Sequence, residues 1–392
     1  MTSTALTSPL VFSAVAVERK DTVLGRLPSL DGWRAISILL VLVSHNHFAV
    51  GFPEHLEKPL HYLFDGHLGV RFFFVISGLL ITWLMLGEER KTQKVNLRHF
   101  YARRALRILP VYGAFLIVMG FIQYFTQCDH SVGNWIANLT FTRNFYLDGN
   151  KISGPLWSLA VEEQFYLIWP FVFVWLAPAV RVRMMPYIAG GAILTAFICR
   201  YLWQFPVSDA PVWQILCREP SFFNNVDSLA IGCMAAISMA GKESRLCTFV
   251  TSRRWTALAL SVLMLMEPYA MHWVADRPWL PAPLKGLGWA AWFGLGRTIQ
   301  SLGFVLLVLQ SIKMPDWGLF RCLNWRPIAT VGVLSYSLYI WQSIFYTNPE
   351  LLGLPKVWWM TYPLWMVPAC AAAIVSYYCL EKPFLKLRHH FR

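Results

Sequence analysis

The sequence predicts an all-α fold: a polytopic membrane protein of about ten transmembrane helices, each about the length that crosses a hydrocarbon core, with both termini cytoplasmic. Three observations carry this. The 392 residues are 56% hydrophobic and only 14% charged, whereas soluble domains carry about a quarter charged residues because their surfaces face water. Apolar stretches of roughly 17–25 residues recur along the whole chain. Lys and Arg are concentrated in alternate gaps between those stretches, as in cytoplasmic loops. The 16% aromatic content, with 19 Trp, supplies anchors for both membrane–water interfaces.

The predicted spans centre on Arg34–Val50, Gly69–Leu86, Leu106–Phe125, Ser158–Leu176, Pro186–Trp203, Val226–Ala240, Trp255–Val274, Leu287–Leu309, Ile328–Tyr346 and Val357–Leu380. The sixth is short and opens on a charged residue. With the N-terminus inside, the inner gaps hold 23 Lys and Arg and the outer gaps 7, while four more lie within spans. That bias places both ends in the cytoplasm, and the regular alternation supports the number of crossings.

Residues 1–27 read as a cytoplasmic tail, 28–384 as a single membrane domain and 385–392 as a second short tail. Met1–Asp21 has no basic region before its brief apolar stretch Leu10–Val17, so it does not read as a signal peptide. The net charge of +13 lies in short gaps between apolar runs rather than on a soluble face, which argues against a nucleic-acid partner. The 8 Cys form no CxxC pair and no Cys/His metal spacing, so no metal is expected. Cys128 and Cys217 both fall in outer loops, which leaves a disulfide open.

Ionisable residues within spans are costly and are either functional or internally paired. Arg34 and His45 lie eleven residues apart on the first span, which returns within ~20° of one helix face over a rise of roughly 16 Å. Arg34 then sits at the cytoplasmic edge and His45 deep in the outer half. A neutral imidazole there can take a proton from a hydroxyl if a partner holds its tautomer; a packing role is the alternative. In the fourth span Ser158, Glu162 and Tyr166 share one face at i, i+4 and i+8. The expected depth of Glu162, about one turn below the outer boundary, matches that of His45, as a base and its orienting carboxylate require. The competing reading pairs Glu162 with an intramembrane arginine, Arg71 or Arg200, without chemistry. Asp227 and Gln342 are expected near the same level. At the inner edge Arg104 and Arg107 stand at i, i+3, a pattern that grips phosphates, binds anionic headgroups or simply satisfies positive-inside topology. No P-loop, GxSxG elbow, HExxH or dinucleotide glycine fingerprint occurs.

Together these strings resemble the acyltransferase-3 family. They are LDGWRAISILLVLVSH with its Arg-x10-His element, GVRFFFVISGLLIT around Ser77 and Gly78, RRALRILPVY, LWSLAVEEQFYLIWP, DSLAIG, GVLSYSLYIWQ and the terminal EKPF. They run in order from Leu30 to Phe384. The resemblance implies a ten-helix membrane O-acyltransferase of bacterial surface glycans, lipid-linked saccharides, Nod factors or some macrolides. It implies His45 as base, Glu162 rather than Glu163 as the required carboxylate, and Arg34, Arg104 and Arg107 at the acyl-donor end. Many members carry a histidine in the ninth helix where this sequence has Gln342, which can hydrogen-bond but cannot act as a base near neutral pH. Some members carry an appended esterase-like domain, for which no room is expected before Arg392.

The expected reaction moves an acyl group, by default acetyl, from acyl-CoA on the cytoplasmic side to a hydroxyl of a saccharide or glycolipid. The expected setting is the lipid bilayer of a bacterial inner membrane, with no permanently bound cofactor. Ser158, Tyr166, Asp227 and Gln342 are expected to contact substrate, and Ser158 is also a conceivable covalent relay. Two rivals remain open: a transporter or flippase of a polar lipid-linked substrate, and a structural subunit with a vestigial site.

Overall fold

The computed structural model describes residues 27–126, 130–146, 152–204, 211–241, 244–275, 281–352, 354–355 and 357–391. The expected N-terminal tail up to residue 26, and Cys128 with its conceivable disulfide, lie outside the described residues. Each of the ten predicted segments coincides with a helix: α1 Leu30–Ser44, α2 Gly66–Thr92, α3 Leu97–Phe125, α4 Leu156–Trp175, α5 Pro178–Gln204, α6 Phe222–Ala240, α7 Arg254–Ala275, α8 Ala282–Lys313, α9 Arg326–Tyr346 and α10 Met366–Ser376. Among the described residues no strand forms, and the one bridge outside helices pairs Val50 with Thr361. Among the described residues six stretches are long and apolar enough to cross a membrane: Gly66–Thr92, Leu97–Phe125, Pro178–Gln204, Val212–Ala240, Trp292–Lys313 and Arg326–Tyr346. The chain is an integral, multi-pass membrane protein.

Helix α1 is central, packed between α2 and α9; α2 packs on α6, α6 on α5 and α8, α7 on α8, and α9 on α10. Lipid is as apolar as leucine, so helices in a bilayer gain by close packing across small residues. The α2–α6 crossing shows this. A Cβ on Gly78 would fall 2.0 Å from the Leu229 carbonyl oxygen, and one on Gly232 would fall 2.2 Å from that of Val75. Likewise a Cβ on Gly332 of α9 would meet the Asp31 carbonyl oxygen at 1.7 Å. Helices α3 and α4 stand off from this group, and the space they leave beside α1, α2 and α9 becomes the cavity described below.

Two elements depart from expectation. Helix α1 ends at Ser44, and His45–Phe48 form a 3-10 turn. The tenth span was expected from Val357, but regular helix begins at Met366. Residues before it dock on the end of α1, where the Tyr362 amide donates to the Val50 carbonyl at 3.0 Å, and Pro363 carries no amide hydrogen for a helix ladder. Past Ser376 the helix widens into a π turn over Tyr377–Glu381. This turn brings Glu381 inward, where its Oε2 accepts from Ser337 Oγ at 3.1 Å.

Candidate active site

A cavity of about 90 Å³ opens between α1, α2, α3, α4 and α9. Its polar wall is Arg34 from α1, Ser77 from α2, Arg104 and Arg107 from α3, Ser158, Glu162 and Tyr166 from α4, and Ser335, Tyr336 and Tyr339 from α9. The rest is apolar, including Phe73, Phe74, Leu80 and Leu159. The predicted i, i+4, i+8 face of α4 is therefore the face that meets the cavity.

Glu162 is held on both oxygens. Ser77 Oγ donates to Oε1 at 2.8 Å, and the Tyr166 hydroxyl lies 3.1 Å from Oε2 and 3.0 Å from Ser77 Oγ. Arg34 is 3.6 Å from Asp31. Among the described residues Arg104 and Arg107 form no ion pair with a carboxylate; the Arg104 guanidinium lies 5.0 Å from the Tyr166 ring centroid and 5.9 Å from that of Phe100. The Ser335 hydroxyl is buried and, among the described residues, without a hydrogen-bond partner. Guanidiniums of Arg104 and Arg107 that no carboxylate bonds directly, together with the Ser335 hydroxyl, give this cavity spare hydrogen-bonding capacity for an anionic or acyl ligand.

His45 lies outside that lining. The structure separates it from Glu162 and gives it a different partner: its Nδ1 is 3.0 Å from Gln342 Oε1. The amide is oriented in turn, because Gln342 Nε2 donates to the Tyr339 carbonyl at 3.1 Å. A backbone carbonyl only accepts, so the NH2 group must face Tyr339 and the oxygen must face His45. An oxygen facing Nδ1 requires a proton there, which leaves the lone pair on Nε2. Among the described residues Nε2 has no hydrogen-bond partner. The rings of Phe48 and Tyr346 flank the imidazole at centroid distances of 5.6 and 5.2 Å.

The expected pairing of His45 with Glu162 is thus corrected: His45 bonds Gln342, and Glu162 bonds Ser77 and Tyr166. The segment before α4 packs inward. Val132–Leu139 forms a helix whose Asn134 and Asn138 point inward, and Asn134 bonds Ser153. Ile152 and Ser153 are buried as well. Glu162 lines the cavity with Arg34, Arg104 and Arg107, and His45 does not. The two sites remain connected through α9. Tyr339 bonds Ser158 through its hydroxyl at 2.6 Å and Gln342 through its carbonyl.

Asp227 is the predicted residue that the structure sets apart. Arg200 grips both its oxygens at 2.9 and 3.0 Å, Thr298 Oγ1 donates to it at 2.5 Å, and its exposure is 0%. Arg71, the other expected intramembrane partner, bonds Asp65 at 3.0 Å. Neither arginine reaches Glu162. Sequence reasoning missed Tyr339, although it stands one turn before Gln342, and gave Ser77 no role although its motif was recognised. Ser335 and Glu381 fell within the recognised strings GVLSYSLYIWQ and EKPF but were given no role, because their placement depends on how α9 meets α1 and α10.

These features define a multi-pass membrane protein with an oriented histidine beside an arginine-lined cavity. The chain belongs to the acyltransferase-3 family, whose model, described as an acyltransferase domain, matches residues 27–381. YrhL of Bacillus subtilis is 27% identical over 378 residues, covering 91% of this chain and 54% of YrhL. The peptidoglycan O-acetyltransferase OatA of Listeria monocytogenes is 26% identical over 350 residues, 85% of this chain and 52% of that protein. The O-acetyltransferase OatA of Staphylococcus aureus is 26% identical over 396 residues, 92% of this chain and 57% of that protein. The chain spans about half the length of these relatives. No solved structure matches it.

Proposed function

We propose that this chain is a membrane O-acyltransferase that moves an acetyl group from acetyl-CoA, reached from the cytoplasmic side, to a hydroxyl of a saccharide or glycolipid presented on the outer side of a bacterial cytoplasmic membrane. The names of the OatA relatives support acetyl as the group and a cell-wall saccharide as the acceptor. The observation that carries the reading is His45, held with Nε2 free, next to a cavity lined by Arg34, Arg104 and Arg107. Ten crossings with both termini inside belong to the same proposal and rest on the distribution of Lys and Arg.

Phosphates of the donor engage the arginines, and its acyl arm runs through the cavity toward the outer half, a distance of ~15 Å from face to midplane. His45 Nε2 accepts the proton of the attacking hydroxyl as the new C–O bond forms. Collapse of the tetrahedral adduct breaks the C–S bond, and the imidazolium returns that proton to the departing thiolate. Gln342 keeps the imidazole in the reactive tautomer throughout. Glu162 balances the arginines and holds Tyr166 and Ser77 in place; Ser335 offers a hydrogen bond to the donor. Ser158 is engaged by the Tyr339 hydroxyl and the Pro155 carbonyl, which favours direct transfer over a covalent relay.

The test is mass spectrometry of surface and secreted saccharides from cells with the wild-type protein, without it, and with His45→Ala. A mass shift of one acetyl that disappears in the last two strains is the expected result. An unchanged saccharide profile in all three removes the proposal.

A further inference from the structure

A second concave site lies apart from the first, where α6 and α8 end. It is a cavity of about 660 Å³ lined by Met239 and Gly241, by Ser244, Arg245, Cys247, Thr248, Phe249, Ser252 and Arg253, and by Lys313. The short helix Arg245–Ser252 forms its floor. Val250 of that helix is fully buried, while Arg245, Thr248 and Ser252 recur at i, i+3 and i+7 and turn one polar face into the cavity. Ser244 caps its first turn through the Cys247 amide at 3.3 Å, and the helix starts at the cavity wall, with its positive end there.

Arg245, Arg253 and Lys313 are exposed, and among the described residues none of them pairs with a carboxylate. Three cations and a helix N-terminus define an oxyanion site with phosphate chemistry, while the Thr248 and Ser252 hydroxyls donate to the Ser244 and Thr248 carbonyls. Two further observations identify the source of the phosphate. Trp255, 66% exposed, stands edge-on to Trp317 at 4.9 Å just beyond Arg253, an aromatic pair of the kind that marks the headgroup level. From there α7 presents an exposed apolar strip, Val262, Leu263 and Met266, along which acyl tails can lie.

We infer that this cavity binds the phosphate headgroup of an anionic phospholipid in the cytoplasmic leaflet, its tails lying along α7. The inference takes the inner face from the charge distribution and is independent of acyl transfer, since none of these residues lines the cavity that holds Glu162.

The experiment is native mass spectrometry of the full chain reconstituted with mixed phosphatidylglycerol and phosphatidylcholine. Wild type retains phosphatidylglycerol. The Arg245→Ala, Arg253→Ala, Lys313→Ala triple variant retains at least about tenfold less, as expected when several charge-assisted contacts are lost, and an Arg245→Lys, Arg253→Lys variant keeps most of it. Phosphatidylglycerol raises the melting temperature of wild type and not of the triple variant, while the two melt alike in lipid-free detergent. Equal retention by wild type and triple variant overturns the inference. Displacement of the lipid by inorganic phosphate also overturns it, because it assigns the cavity to a soluble phosphate ester. If the triple variant does not fold, Lys313→Glu alone carries the test, with lower retention expected and equal retention overturning it.

Discussion

Two of the places where this bundle brings a carboxylate near arginine are built to opposite ends. Around Asp227, every group is spent. Arg200 gives its Nε and both terminal nitrogens to Asp227, Thr298 and the carbonyls of Asn224 and Gly294, and the carboxylate is sealed from solvent. Around Glu162 the carboxylate is held by two hydroxyls, while the arginines opposite it face an open cavity and, among the described residues, Ser335 has no partner. The lesson is that an intramembrane charge pair does not by itself mark chemistry. Unused hydrogen-bonding capacity beside a space large enough for a reacting group does.

The contrast can be broken by mutation. The largest effect is expected at His45, adjacent to the open site. His45→Ala should cut acetyl transfer by roughly 10²–10⁴-fold, the usual worth of a general base, with melting temperature and monodispersity in detergent unchanged. Residual activity close to wild type would mean that another group takes the proton. Next comes the closed site. Asp227→Ala leaves Arg200 buried and uncompensated, a change that costs about 3–5 kcal/mol. It should appear as lost folded yield and a lower melting temperature, with activity per folded molecule retained. Glu162→Gln should do the reverse, because the amide keeps an acceptor for Ser77 or Tyr166: melting within a few degrees of wild type, and activity reduced by roughly 10–100-fold as an oriented polar network is disturbed. If both variants fail in the same assay, the two clusters do not differ in kind.

The smallest effect sharpens the picture of the base itself. Gln342→Leu frees the imidazole to adopt either tautomer and should lower activity by about tenfold, the low end for removing a group that orients a reactive histidine. Gln342→Glu keeps an acceptor for the Nδ1 proton and should retain more activity than the leucine variant, read as kcat at saturating acceptor. Equal losses would show that hydrogen bonding to Nδ1 is not what position 342 contributes.

Much of this was legible in the chain. Helix positions followed from apolar length, because a bilayer imposes one length on every crossing. The face of α4 that carries Ser158, Glu162 and Tyr166 followed from helical periodicity alone, whereas the expected single helix through Arg34 and His45 stops at Ser44, one residue short of the histidine. What failed was partnership. A periodic pattern gives the angle of Glu162 about its helix but not which side chains of other helices stand beside it, here Ser77 in place of His45. The same limit hid the role of Gln342, whose amide matters because Tyr339, on its own helix, fixes which end faces His45.

The sequence by itself determined a multi-helix membrane protein, the helices that carry its ionisable residues and the family to which it belongs, since hydropathy and local periodicity act within each segment. Only the tertiary structure decided which of those residues meet: His45 with Gln342 instead of Glu162, Asp227 locked to Arg200, and the arginines left open. Partnership across helices depends on where glycine contacts such as Gly332 on Asp31 let backbones touch and on which helix faces then meet, and neither is encoded in any one stretch of chain.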